Sequence, residues 1–361
     1  MSAVLDHLMA AIPEEQERFE ALCRDVADWV ALVESAGREG VLGIVRREIL
    51  LARVPVPEPA RRLLERLEAV ERLWQANVAR ALDQALLALD SRGVQTVALK
   101  GPVLAERLYP DASMRRSTDL DLLIAEADIE RAAAALEPLG YELEDGLAAL
   151  YARRHHHHLR LAGRCPPVIE LHFRAYVGFG VTLPAEALLG RARPYRTAAG
   201  APCWVLAPED ELLYLAVHAA GHCFDRLLWL YDLKLFMTRH PNLHWSIVAS
   251  RARALGVMAA LALSSDVLRR RLGISMPATA DRPAPARLGR RVVARFVDGR
   301  VGPPASGALV TLRQLLVMAA LCDRHLSAAR FVGHHVARIA RRRFRRWLPA
   351  FASSPTRSSP R

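Results

Sequence analysis

Two carboxylates one residue apart are the first feature of this sequence that could do chemistry. Asp119 and Asp121 stand in "MRRSTDLDLLI", a segment that otherwise reads as a buried strand. On a strand, residues i and i+2 share a face with Cα atoms about 6.5–7 Å apart. Both acids therefore point one way, while Leu120, Leu122 and Ile124 take the other. Like charges this close repel, and one carboxyl pKa rises unless a cation neutralises the pair. Mg²⁺ is an economical answer, because it takes oxygen ligands and is usually held by one or two carboxylates plus substrate phosphate. Two such ions about 3.5–4 Å apart would clamp the attacking and leaving oxygens of a phosphoryl displacement. Glu170, in "VIELHF", offers a third carboxylate on a strand expected nearby, sharing a face with His172. Its expected role is to ligate one metal and to orient or deprotonate an incoming hydroxyl. The plainer alternative is that the acid pair marks a solvated sheet edge.

The second chemical feature is "ALKGPVLAERLYP". A strand that ends in Lys-Gly and feeds a proline-started helix aims backbone N–H groups at the turn, which suits an anion. Gly101 permits close backbone approach and Lys100 supplies charge. Of the 50 basic residues only Lys100 and Lys234 are lysines. Against that bias each is informative, because an ammonium is a compact point charge that fits a phosphate oxygen where a planar guanidinium does not.

The elements that must position these groups follow from periodicity. Roughly the first 90 residues read as helices, clearest in "PEPARRLLERLEAVERLWQANVARALDQALLALDSRG". "VQTVAL" and "STDLDLLI" read as strands around a helix "PVLAERLY", and "DIERAAAALEPLG" as a further helix. "YARRHHHHLRL" and "PVIELHF" make two more strands, and a hairpin is expected around "PYRTAAGAPCWVL". After "APED" the chain turns helical again, in "EDELLYLAVHAAGH" and "DRLLWLYDLKLFM", with a proline-rich linker at "GISMPATADRPAPARLG".

Composition bounds the setting. The formal net charge is +12, but ten arginines and no acid follow from Arg324 onward, leaving a body of roughly +2. Five scattered cysteines without a CxxC pair point to a reducing compartment and away from a disulfide framework or thiolate zinc site. The N-terminus has no secretory pattern, and no apolar run is long enough to span a bilayer. The cytoplasm is the expected location.

The stretch "ALKGPVLAERLYPDASMRRSTDLDLLI" resembles the bacterial uncharacterised nucleotidyltransferase branch of the polymerase β-type nucleotidyltransferase superfamily. The resemblance continues through "GYEL", "VIELHF" and "EDELLYLAVHAAGHCFDRLLWLYDLKLF", covering about residues 60 to 240. It implies metal ligation by Asp119 and Asp121, a third acidic role for Glu170, and phosphate contacts from Lys100 and Gly101. It also implies that Arg115 neutralises triphosphate charge. The wider superfamily usually carries Gly-Ser where Lys-Gly stands here, and the gap to the aspartates is longer.

His218 and His222 lie four apart on one helix face, a spacing that could bind zinc, but no glutamate follows His218 and no third ligand is evident. A structural or substrate-lining role competes, and the resemblance favours lining the nucleotide site for His218 and Asp232; the alternative for Asp232 is to satisfy a buried group. His155 to His158 fall in a strand, where alternation sends them to opposite faces and disfavours a shared metal.

Together these readings imply an α+β protein: a polymerase β-type core of mixed sheet and helices over 91–206, flanked by helical regions at 1–90 and 207–323. Segment 324–361 reads as a basic amphipathic helix and disordered tail, with 324–348 able to contact an anionic membrane or nucleic acid. The expected reaction is Mg²⁺-dependent transfer of a nucleotidyl group, AMP from ATP, to a hydroxyl-type acceptor on a small molecule, peptide or protein, releasing pyrophosphate. The alternatives are a non-catalytic nucleotide- or RNA-binding protein on the same scaffold, and a tailoring partner in a peptide, sugar or lipid biosynthetic pathway.

Overall fold

The computed structural model describes residues 2–12, 15–143, 157–163, 167–179, 181–277 and 316–323. The basic segment 324–348 with its tail, most of the proline-rich linker and the first half of the four-histidine strand lie outside the described residues.

Four short helices open the chain: α1 (Ser2–Ala11), α2 (Gln16–Arg24), α3 (Trp29–Arg38) and α4 (Leu42–Leu51). The amphipathic pattern that follows becomes α5 (Glu58–Ser91), 34 residues long. Its buried Val78, Leu82, Ala85, Leu86 and Leu89 form one apolar stripe at three-and-four spacing. That stripe packs beneath a seven-stranded mixed sheet.

The sheet strands are β1 (Val97–Ala98), β2 (Asp119–Leu123), β3 (Tyr141–Leu143), β4 (His158–Gly163), β5 (Val168–His172), β8 (Arg193–Arg196) and β9 (Pro202–Val205). Their spatial order is β3-β4-β5-β2-β1-β9-β8. The β2/β5 and β1/β9 pairs are parallel and the remaining pairs antiparallel. The "VQTVAL" strand is shorter than its composition suggests, because Gly101 turns the chain just past it. Single hydrogen bonds extend the ladder at each end: Trp204 N–H to Thr96 O at 2.9 Å, and Leu99 N–H to Asp121 O at 3.1 Å. A second sheet, the hairpin β6 (Arg174–Gly178) and β7 (Val181–Pro184), has no counterpart in the sequence reading.

Helices α6 (Pro102–Leu108), α7 (Ile129–Leu136) and α8 (Ala185–Leu189) connect strands. The chain then continues through α9 (Pro208–Gly221), α10 (Leu227–Arg239), α11 (Trp245–Leu255) and α12 (Met258–Leu272). The two faces of the sheet sit in different cores. Leu120, Leu122, Ile124, Ile169 and Leu171 join α5 and α7 below. Val97, Leu99 and Leu123 face a larger core in which α1–α4 meet α9–α12. Lys234 holds part of that meeting together: its buried ammonium donates to the carbonyls of Met9, Ala10 (3.0 Å) and Ile12 at the end of α1. A cation suits that position, since the last carbonyls of a helix have no intrahelical donors. Among the described residues no helix is long and apolar enough to cross a membrane. The architecture is a mixed sheet flanked by helices, the α+β arrangement expected from the sequence.

Candidate active site

The register of β2 against β5 builds the site. The two strands run parallel, with Asp121 directly opposite Glu170 and Asp119 opposite Val168. Paired residues on adjacent strands share a face, so Asp119, Asp121, Glu170 and His172 project together above the sheet while the aliphatic residues between them fill the lower core. Because Leu99 is hydrogen-bonded to Asp121, the chain leaves β1 with Lys100 beside the acids. The Lys100 Nζ lies 2.5 Å from Asp121 Oδ2 and 3.7 Å from Asp119 Oδ1. On the other side, His172 Nε2 is 3.2 Å from Asp121 Oδ1 and 3.8 Å from Glu170 Oε2.

Gly101 adopts φ 76°, ψ −142°, a conformation open to glycine and strained for other residues. A Cβ there would meet only Asp119 O and Ser117 Oγ at 3.9 Å, so the backbone, not crowding, requires glycine. The loop entering β2 is clamped by α5: Trp74 Nε1–H donates to Ser117 O at 2.7 Å, and Ser117 N–H donates to Gln75 Oε1 at 3.2 Å.

The charges in this cluster are unequal in fate. Burial works to raise the Asp121 pKa, but the Lys100 ammonium and the His172 hydrogen bond outweigh it and hold the carboxyl far below its ordinary range. Burial, followed by the Asp121 charge, raises the pKa of Asp119, which receives only a distant contact from Lys100. Burial disfavours protonation of His172, yet Asp121 and Glu170 raise its pKa above the usual value. Glu170 is lowered despite burial, chiefly by His172 and then by His158. Three carboxylates thus share Lys100 and His172, and Asp119 is the one with only a distant cation. That donor set, all oxygen on one face with unbalanced negative charge, fits a hard dication such as Mg²⁺.

Above the acids lies a cavity of about 460 Å³, ample for a small-molecule ligand. Tyr214 and His218 from α9, His222 just past its end and Trp229 from α10 form part of its wall. The His218 and His222 rings are 4.6 Å apart, and both approach the Trp229 indole, at 5.3 and 5.0 Å. Burial, then the nearby Lys100 charge, pushes the His218 pKa well below 6.5, so this wall carries a neutral imidazole.

Lys100, Gly101, Asp119, Asp121, Glu170, His218 and His222, all singled out in the sequence, line this one cavity. Arg115 borders it too, but its fork is committed elsewhere. Its Nε and one terminal nitrogen each donate to Asp232 at 2.8 Å, and the other terminal nitrogen donates to Ser117 Oγ at 3.2 Å. Asp232 is 1% exposed, also accepts from the Tyr109 hydroxyl at 2.7 Å, and does not border the cavity. The structure therefore places Arg115 and Asp232 in a buried ion pair behind the site.

Other lining residues escaped the sequence reading. Tyr214 was recoverable, standing four before His218 on the same helix. Tyr176 was not, because its hairpin was not anticipated; its ring fits only because Gly178 and Gly221 lack a Cβ that would collide with it. Arg226 lines the cavity at the start of α10. His157 and His158 both line it as well. The alternation argument failed for them because His157 sits at a bend before β4, where its carbonyl accepts from Phe173 N–H at 3.0 Å. His155 and His156 lie outside the described residues.

Comparison with known proteins places this geometry in a family. No curated protein matches the chain. Two solved structures share 15% identity with it. One is the antibiotic-resistance factor ANT(2'')-Ia in solution, with a TM-score of 0.39 over 50% of this chain and 93% of that one. The other is the crystal structure of ANT(2'')-Ia in complex with adenylyl-2''-tobramycin, with a TM-score of 0.38 over 49% of this chain and 98% of that one. The model of the family described as "uncharacterised nucleotidyltransferase" matches residues 25–273, which take in β2, β5, α9 and α10. By that match the chain belongs to the uncharacterised nucleotidyltransferase family and is a transferase enzyme.

Proposed function

We propose that the protein transfers AMP from ATP to a hydroxyl-bearing acceptor and releases pyrophosphate. The observation that carries this reading is the β2/β5 register, which sets Asp121 beside Glu170 with Asp119 on the same face at the Lys100–Gly101 corner. Asp119, Asp121 and Glu170 are the residues that would hold Mg²⁺, and two ions are the arrangement proposed. A metal held there would neutralise charge on the phosphates and favour departure of pyrophosphate.

The remaining roles belong to the chain. The acceptor oxygen forms a bond to the α-phosphorus, the bond from that phosphorus to the bridging oxygen of pyrophosphate breaks, and the acceptor proton passes to Glu170. Lys100 offers a point charge to a phosphate oxygen, and Gly101 lets the backbone come close. Arg226 is proposed for the triphosphate charge in place of Arg115, whose donors are already used by Asp232 and Ser117. Neutral His218, His222 and Trp229, their rings inclined to one another, offer aromatic surface against which the base packs. Positioning and fixed charges supply most of the acceleration.

The test uses ATP labelled at the α-phosphate, Mg²⁺ and a cell extract, with D119N beside the wild type. Label should enter a new species as pyrophosphate appears, and D119N should abolish both while melting like the wild type, because it removes one of two repelling charges. Retained transfer in D119N, or a large loss of stability, would refute the assignment.

A further inference from the structure

We propose that His157, His158 and His172 form a second cation site, for a transition-metal dication of the zinc class, sharing a wall with the carboxylate site. The three rings converge from β4, from β5 and from the bend that precedes β4. His157 and His158 are 4.5 Å apart, and they lie 5.2 and 5.1 Å from His172. One nitrogen from each ring falls within 4.8 Å of the others. Closing a tetrahedral zinc site, with Zn–N near 2.0–2.1 Å, brings ligand nitrogens to about 3.3 Å, a movement within reach of side-chain rotation at the half-buried His157 and His158.

His172 gives the site its direction. It is 3% exposed, and its Nε2 is engaged by Asp121. Its Nδ1 is buried and has no hydrogen-bond partner among the described residues. A buried polar atom left this way costs free energy unless something supplies the missing contact, and a cation between the three imidazoles would supply it. Ligation through Nδ1 places the ring hydrogen on Nε2, which then donates to Asp121 Oδ1. Metal-bound histidines characteristically hold their second nitrogen against a carboxylate in this way. All three rings border the cavity, so a fourth coordination position faces it.

The two sites differ in chemistry. Imidazole nitrogens select zinc, copper or nickel, whereas the all-oxygen set around Asp119 selects magnesium. His172 joins them: a cation on its Nδ1 fixes the orientation of the Asp121 carboxylate from behind. The inference does not depend on the transfer reaction, and its test reads metal binding directly.

The experiment is calorimetric titration of the full, metal-stripped chain with Zn²⁺ in excess Mg²⁺, with Co²⁺ as a visible reporter of nitrogen ligation. One equivalent should bind per chain. H157N and H172Q should each weaken it about tenfold or more, and the double variant H155N/H156N should leave it unchanged. Melting curves accompany each variant, and H157N decides the matter if H172Q disturbs Asp121 enough to unfold the chain. Absence of stoichiometric binding overturns the proposal. So does affinity that is lost in H155N/H156N and kept in H157N, since that would mean the histidine tract alone gathers metal.

Discussion

Replacing Asp232 by asparagine tests whether the Arg115 cluster supports the fold or the substrate. Asp232 and Arg115 are 1% and 3% exposed, joined by two hydrogen bonds of 2.8 Å, with Tyr109 donating to the same carboxylate at 2.7 Å. Asparagine keeps the shape but removes the charge, and turns one acceptor into a donor facing a guanidinium. Removing one partner of a buried ion pair typically costs about 3–5 kcal/mol, because the other charge stays uncompensated in a poorly polar surrounding. The Ser117 hydroxyl still accepts from Arg115, and the Asp121 charge still acts on it, so the lower end applies. At about 2–4 °C per kcal/mol for a domain of this size, a loss near 3 kcal/mol lowers the melting temperature by about 6–12 °C. Thermal unfolding followed by circular dichroism measures it. The double variant R115M/D232L should recover much of the loss, since apolar replacement of a buried pair is often neutral. An unchanged melting temperature with weakened ATP binding would refute the reasoning and return Arg115 to the substrate.

Two further outcomes follow from single residues. Gly101→Ala should lose about 1–3 kcal/mol through its backbone conformation alone, and should slow transfer because Lys100 leaves the strand through this corner; wild-type stability on chemical denaturation would contradict the conformational argument. His218 is held neutral with a pKa well below 6.5, by burial first and the Lys100 charge second. Below 6.5 the unfolded chain therefore takes up a proton that the native chain refuses, and the wild type loses stability as pH falls. His218→Phe removes that term, so the stability difference between wild type and variant should shrink on acidification and stay flat above 6.5; a difference independent of pH would show that burial does not suppress this titration.

How much could be read in advance depended on how local the cause was. Period-two alternation in "STDLDLLI" and "VIELHF" sets which side chains share a face of their own strand, and three-and-four spacing does the same for α5. The corner at Gly101 and the hairpin at β8–β9 follow from turn chemistry a few residues long. Residues such as Tyr176 were out of reach, because their place depends on a hairpin whose strands are short and whose packing partner, Gly221, is distant in sequence. The pairing of Arg115 was out of reach for a related reason: a guanidinium near acids suits a triphosphate, and the carboxylate that accepts its hydrogen bonds stands more than a hundred residues later.

By itself, then, the sequence determined which groups could do chemistry, because residue type and the periods of strand and helix are local properties. It determined that three acids and a lysine belong to strands and strand ends, and that the faces between them are aliphatic. The tertiary structure alone decided which strand lies beside which, hence that Asp121 faces Glu170 across a parallel pair and that Arg115 is spent on Asp232. It also decided that His172 reaches Asp121 with one nitrogen while its ring lies beside those of His157 and His158. Pairing partners and burial are set by packing among segments far apart in the chain, and no short window of residues contains that information.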